Sequence, residues 1–319
     1  MLANPNAAAY LQTLIKTANE LEAKLSILPA ESNFIGVSLA GKPNTGFEEI
    51  IAKIEAGVIK TLMVAGGNPV NIYPDKKRIM EAFKKVDYLI YWGAYPNSTS
   101  DYASLILPQL LPTEAAGSFI NIERRIQFLK KPFTTDKAIT SLTRLLTDVK
   151  IEMGGELYYS AEEVFAAMRK TIPHFGRLEY GKLEGTILPW AGKASFDLPE
   201  GSVPAPPKGF PFILNFAASV YYGASGMTIR SNVLSKLAEP QVLLVSPQDA
   251  ETLELSDGAR VQLDTARASG EFVIRITDDV NQGELVLRGF SMQNPPNRFM
   301  NGFNNPVYAN VTNPKGTRK

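Results

Sequence analysis

The stretch Val245-Ser246-Pro247-Gln248-Asp249-Ala250-Glu251-Thr252-Leu253-Glu254-Leu255-Ser256-Asp257-Gly258-Ala259-Arg260-Val261 decides the fold. An apolar strand ends at Ser246-Pro247, and Asp249-Ala250 opens a one-turn helix that Leu253 and Leu255 pin to a core. Asp257-Gly258 then makes a tight turn into the next strand. Working outward, strands are predicted at 211–214, 241–245, 260–263, 271–276 and 284–287. Ser256-Asp257-Gly258, Ala268-Ser269-Gly270 and Asn281-Gln282-Gly283 supply the turns between them. Short strands with regular turn signals predict a small barrel over residues 211–319.

The first half has a different rhythm. Residues 6–25 carry apolar side chains at helical spacing, and 33–41 read as a glycine-punctuated loop. Residues 47–57 predict an amphipathic helix with Ile50, Ile51 and Ile54 on one face and Gly57 as its stop. An apolar run, Leu62-Met63-Val64-Ala65, then enters a Gly66-Gly67 turn, as a strand of a parallel sheet does. A crossover helix at 76–85, a strand at 88–92, a helical turn at 100–103, a strand at 105–108 and a helix at 162–170 continue the alternation. The expected organisation is an N-terminal helical and loop segment at 1–40, then a doubly wound α/β domain at 41–198. A proline-rich linker follows at 199–210, and the barrel domain at 211–319.

Composition removes several chemistries. The chain has 319 residues, 45% apolar and 20% charged, enough for two cored domains. Lys+Arg 33 against Asp+Glu 32 gives no net basic surface, so nucleic acid is not an expected partner. There is no cysteine, which excludes thiolate iron–sulfur and zinc ligation from these residues. The single histidine, His174, sits in a Pro/Gly-flanked stretch and reads as a solvated side chain. No apolar run approaches the ~20 residues of a membrane span, so direct membrane insertion is not expected. Neither a phosphate-cradling GxxxxGK[ST] nor a GxGxxG after a strand occurs.

The quoted stretch, paired with Thr277-Asp278-Asp279-Val280-Asn281-Gln282-Gly283, resembles the molybdopterin-dinucleotide-binding domain of the molybdopterin oxidoreductase superfamily, a double-psi β-barrel. Gly226-Met227-Thr228-Ile229-Arg230 resembles the end of the loop that wraps the pterin and dinucleotide in cofactor-binding relatives. Gly66-Gly67-Asn68-Pro69 looks like the "GxNP" turn of the third domain. Residues 100–108 and 114–127 follow two more third-domain motifs, with Ser104 where the family pattern has Asp.

The resemblance implies third and fourth domains of this superfamily, with the order of motifs followed from about Asn33 to Asn294. It carries over Gly66, Gly67, Asn68, Gly226, Thr228 and Arg230 as candidate cofactor-binding residues. Glycines permit close backbone approach, and Arg230 offers a phosphate fork. For this loop, packing on the neighbouring domain is the competing structural reading. No catalytic or metal-ligating residue is implied.

Two functional readings follow. The first resembles the large, G-type iron–sulfur component of bacterial NADH:quinone oxidoreductase (complex I). It is a non-catalytic scaffold without cofactor, beside an iron–sulfur chain supplying the missing half and other peripheral-arm subunits. Such a chain would be cytoplasmic and held to the inner face of the membrane through its partners. The second is half of a split, formate-dehydrogenase-like enzyme that retains a molybdopterin guanine dinucleotide. A soluble binding module unrelated to electron transfer is the third possibility.

Overall fold

The computed structural model describes residues 7–23, 28–29, 32–41, 46–133, 139, 141–158, 160–189, 205–217, 219, 221, 228–291, 294–300, 302 and 306–313. Three helices come first: α1 (Ala7–Glu20), α2 (Phe34–Ala40) and α3 (Phe47–Glu55). The predicted loop over 33–41 is therefore corrected to a helix. Gly36 stands inside it because a Cβ there would meet Asn33 Oδ1 at 2.2 Å. Close approach, not a turn, requires this glycine.

The α/β part follows as β1 (Thr61–Ala65), α4 (Pro69–Ile72), α5 (Lys76–Phe83), β2 (Tyr88–Gly93) and β3 (Leu105–Pro108). The strands pair in parallel in the order β1-β2-β3, with Thr61 opposite Tyr88 and Ile90 opposite Leu105. Ile51 and Ile54 of α3 and Ile79, Ala82 and Phe83 of α5 pack on Leu89 and Tyr91 of β2. The amphipathic spacing read from the sequence thus becomes one buried seam. Asp75, in the left-handed region at φ 57°, caps α5 by accepting from Arg78 N at 3.2 Å.

A hairpin of β4 (Gly117–Ile120) and β5 (Ile126–Leu129) comes next, then α6 (Leu142–Glu152) and α7 (Ala161–Thr171). Ile120 and Ile126 form a second core with Phe175, Leu183 and Leu188, joined by Ile35 and Leu39 of α2. Residues 34–40 therefore pack with the α/β part. Leu188 lies only 1% exposed, within the stretch whose composition already turns toward Pro, Gly and Ala. Of the expected linker at 199–210, residues 199–204 lie outside the described residues.

The barrel contains β6 (Phe212–Ala217), α8 (Asn232–Leu237), β7 (Val242–Val245), α9 (Pro247–Thr252), β8 (Arg260–Thr265), β9 (Ser269–Ile276), β10 (Glu284–Arg288) and β11 (Tyr308–Thr312). It closes in the order β10-β6-β11-β8-β9-β7, so no strand of it is an edge. The pairs β6–β10 and β7–β9 are parallel and the other four antiparallel. All four residues of β7 are buried because both its faces are covered. Leu243 and Val245 enter the barrel core, while Val242 and Leu244 pack with Val280 in a separate cluster.

Candidate functional site

The C-terminal ends of β1 and β2 bring the α/β candidates together. Gly66 turns at φ 68°, and its N–H donates to Trp92 O at 2.7 Å. A Cβ on Gly66 would approach Gln109 Oε1 to 3.3 Å, so both its conformation and its neighbour favour glycine. Asn68 is 4% exposed and accepts from the Thr99 hydroxyl at 2.9 Å. Thr99 Oγ1 in turn accepts from Val70 N at 3.3 Å.

The loop after β2 is held by its own side chains. Asn97 Oδ1 accepts from the backbone N–H groups of Thr99 (2.9 Å) and Ser100 (3.2 Å). Its amide donates to the Tyr91 hydroxyl at 2.7 Å, and that hydroxyl donates to Tyr95 O at 3.3 Å. Burial pushes the Tyr91 phenol above the ordinary tyrosine range, against lowering by the Asn97 hydrogen bond and the Arg230 charge. Sequence reasoning passed over Tyr91, Asn97 and Thr99. Their signal was the polar run Asn97-Ser98-Thr99-Ser100 placed shortly after a parallel strand.

Arg230 reaches this loop from the other half of the chain. Its guanidinium donates to Pro96 O and lies 4.9 Å from the centre of the Tyr95 ring. Thr228 and Arg230 share a single 3₁₀ turn (Thr228–Arg230), followed by Ser231, which caps α8 by accepting from Leu234 N. Gly226 lies outside the described residues. Asn68 and Arg230 are thus linked through Thr99, Asn97, Tyr91 and the 95–96 backbone.

Two further contacts join the halves. Asn297 is 2% exposed, and its amide donates to Val70 O (3.2 Å) and Tyr73 O (2.6 Å) at the end of α4. Arg267 pairs with Asp75 at 3.2 Å. Lys76 Nζ donates to Asn71 Oδ1 at 3.2 Å, and burial first, then the Arg298 charge, lowers its pKa.

The remaining motifs hold the fold. Asp249 Oδ2 accepts from the Ser246 hydroxyl at 2.7 Å and from Gly283 N at 2.8 Å, tying the two quoted barrel stretches to each other. Asp257 accepts from Ile276 N at 2.8 Å. Glu114 accepts from Leu111 N and Asn121 from Arg125 N, both at 2.9 Å. Ser104 Oγ accepts from Leu89 N at 3.3 Å. His174 is exposed. Among the described residues, no cluster of three His, Cys, Asp or Glu could hold a metal ion, and no helix is long and apolar enough to cross a membrane.

Against known families, residues 3–151 match molybdopterin oxidoreductase and residues 212–310 match the molydopterin dinucleotide binding domain. The two matches fall on the α/β part and the barrel in the order the motifs predict. The chain belongs to the molybdopterin oxidoreductase family. It is 26% identical over 289 residues to the F420-dependent formate dehydrogenase subunit alpha of Methanocaldococcus jannaschii, covering 81% of this chain and 43% of that protein. It is 26% identical over 238 residues to the NADPH-Fe(3+) oxidoreductase subunit alpha of Geobacter sulfurreducens, covering 74% and 28%. Over 251 residues it is 24% identical to a G-type subunit of the NADH-quinone oxidoreductase of Rhizobium meliloti, covering 76% and 28%. Acetylene hydratase from Pelobacter acetylenicus shares the fold, with a TM-score of 0.61 at 11% identity over 83% of this chain and 46% of that one. The chain spans less than half the length of each of these relatives.

The family implies a molybdopterin dinucleotide, whose pyrophosphate needs free N–H donors and a cation. Of the described candidates, the Gly66 N–H and the Asn68 side-chain oxygen are engaged within the chain, while Arg230 is exposed and spends one nitrogen on a backbone carbonyl.

Proposed function

We propose that this chain is a non-catalytic scaffold in a multi-subunit oxidoreductase of the NADH:quinone oxidoreductase type, supporting a separate iron–sulfur chain. The observation that carries the reading is the use made of Arg230. The residue matched to the cofactor loop clamps the barrel to the α/β part through Pro96 and Tyr95. The likeness to a G-type subunit of NADH-quinone oxidoreductase supports the same placement, with the complex held at the inner face of the membrane by its other subunits.

The absence of cysteine means that iron–sulfur ligands of the thiolate type come from outside these residues. In this reading the chain's own work is mechanical. Asn68, Thr99 and Asn97 hold the end of the sheet, and Arg230, Asn297 and Arg267 hold the barrel against it. A second reading, the cofactor-binding part of a split formate-dehydrogenase-like enzyme, draws support from the formate dehydrogenase alpha subunits among the relatives.

Arg230→Ala separates the two. As a scaffold clamp, its loss costs about 1 kcal/mol of coupling between the halves and leaves metal and pterin content of the native complex unchanged. A cofactor fork would instead show a loss of bound pterin with little change in unfolding.

A further inference from the structure

Strand β1 stands at one side of the three-stranded parallel sheet, and among the described residues β2 is its only strand partner. Its sequence, Thr61-Leu62-Met63-Val64-Ala65, carries no charge, proline or glycine. Natural edge strands are guarded by such residues, whereas strands in the interior of parallel sheets read as apolar runs. Among the described residues the strand occupies an edge, and it has the sequence of an interior strand.

The hydrogen-bond parity says which backbone groups are open. Lys60 O accepts from Tyr88 N at 3.1 Å, and Gly66 N donates to Trp92 O at 2.7 Å. In a strand, the N–H and C=O of one residue point to the same side, and the side alternates along the chain. Residues 60, 62, 64 and 66 therefore address β2, and Thr61, Met63 and Ala65 turn their N–H and C=O groups outward.

A groove of about 260 Å³ runs along this strand, lined by residues 62–65, by Phe47 and Ile50 of α3, and by Ile72 and Tyr73. No charged side chain lines it. Ile72 is 39% exposed, a large apolar surface for a residue beside a sheet. An open ladder of backbone donors and acceptors beside apolar walls is what strand addition requires: main-chain bonds supply affinity and alternate side chains fill the pockets. Three strands is also fewer than the usual four to six or so of a sheet.

The relatives carry more of the fold than these residues do. The chain covers 43% of the M. jannaschii subunit and 46% of the hydratase, so more than half of each relative has no counterpart in these residues. We propose that the β1 edge receives an apolar β-strand from the partner polypeptide that carries the rest of the family fold, extending the sheet to a fourth strand. This rests on the reading above that such a partner exists.

The test is hydrogen–deuterium exchange on the native complex purified through a tag on this chain, against the chain alone. The amides of Met63 and Ala65 exchange fast in the free chain and slow by about tenfold or more in the complex, while those of Leu62 and Val64 are protected in both. Met63→Pro removes one outward N–H and leaves the β1–β2 ladder intact, so partner recovery falls by about tenfold, whereas Met63→Ala keeps the amide and most of the recovery. Where Met63→Pro unfolds, the exchange comparison on the unaltered chain decides. Equal exchange of Met63 and Ala65 with and without partner overturns the proposal. So does protection that grows with the concentration of the pure chain, which makes a second copy the occupant. A complex lacking any iron–sulfur chain counts against the scaffold reading; such a chain present over an unprotected β1 counts against this proposal alone.

Discussion

Removing the carboxylate of Asp249 should be among the most damaging polar substitutions in the barrel. Asp249 is 6% exposed and joins the Ser246 hydroxyl to the backbone of Gly283, 34 positions away in sequence. Hydrogen bonds to a charged group contribute about 1.5–3 kcal/mol each. The Gly283 turn is only half-buried, so water can replace part of one bond, and Asp249→Ala should lose about 3 kcal/mol rather than the full sum. For a unit of about 100 residues that lowers the barrel transition by roughly 12–20 °C. Denaturant unfolding should show a lower midpoint with an unchanged slope, since the surface exposed on unfolding is the same. Asp249→Asn keeps the shape and one acceptor and should lose about half as much. A change below about 0.5 kcal/mol in both variants would refute the view that this motif residue holds the barrel together.

Asn297→Ala takes the donor from two carbonyls at the end of α4, and the coupling of barrel to α/β part should weaken by about 2 kcal/mol. Calorimetry should then show the barrel and α/β transitions further apart than in the unaltered chain; an unchanged trace contradicts the clamp. Tyr91 gives a pH dependence. Its folded pKa is raised, so its contribution is fully present below about pH 10, the unfolded value, and is lost as pH rises through the folded one. Tyr91→Phe should therefore be about 1 kcal/mol less stable near neutrality, and this gap should close in alkaline solution. A gap constant across that range would show that the phenol does not titrate within the network.

The barrel was legible because its turns are written in residue types with few alternatives. Gly258 and Gly283 take φ values of 77° and 81°, where the Asp-Gly and Gln-Gly signals place them. The seam of α3 and β2 was legible from helical spacing and an apolar run. The hairpin Gly117–Leu129 was not, because its turn is made by Arg124 at φ 63° with Asn121 bracing it, and no glycine announces it. Helix α2 was hidden by Gly36, a residue type that reads as a breaker and here relieves a close contact. At the candidate site, the sequence pointed to Gly66, Gly67, Asn68 and Arg230, and the structure links Asn68 and Arg230 through one network. The direction of Arg230 depends on Pro96 and Tyr95, 134 positions away in the first case, and no local pattern encodes it.

The central claim is that this member of the family supports redox chemistry without holding the cofactor itself. Its most direct test is molybdenum, tungsten and pterin analysis of the complex purified from its native source through a tag on this chain, alongside iron. The expected result is iron in stoichiometric amount, carried by a cysteine-bearing partner, with pterin and its metal far below one per chain. Stoichiometric pterin that is lost in Arg230→Ala would contradict it.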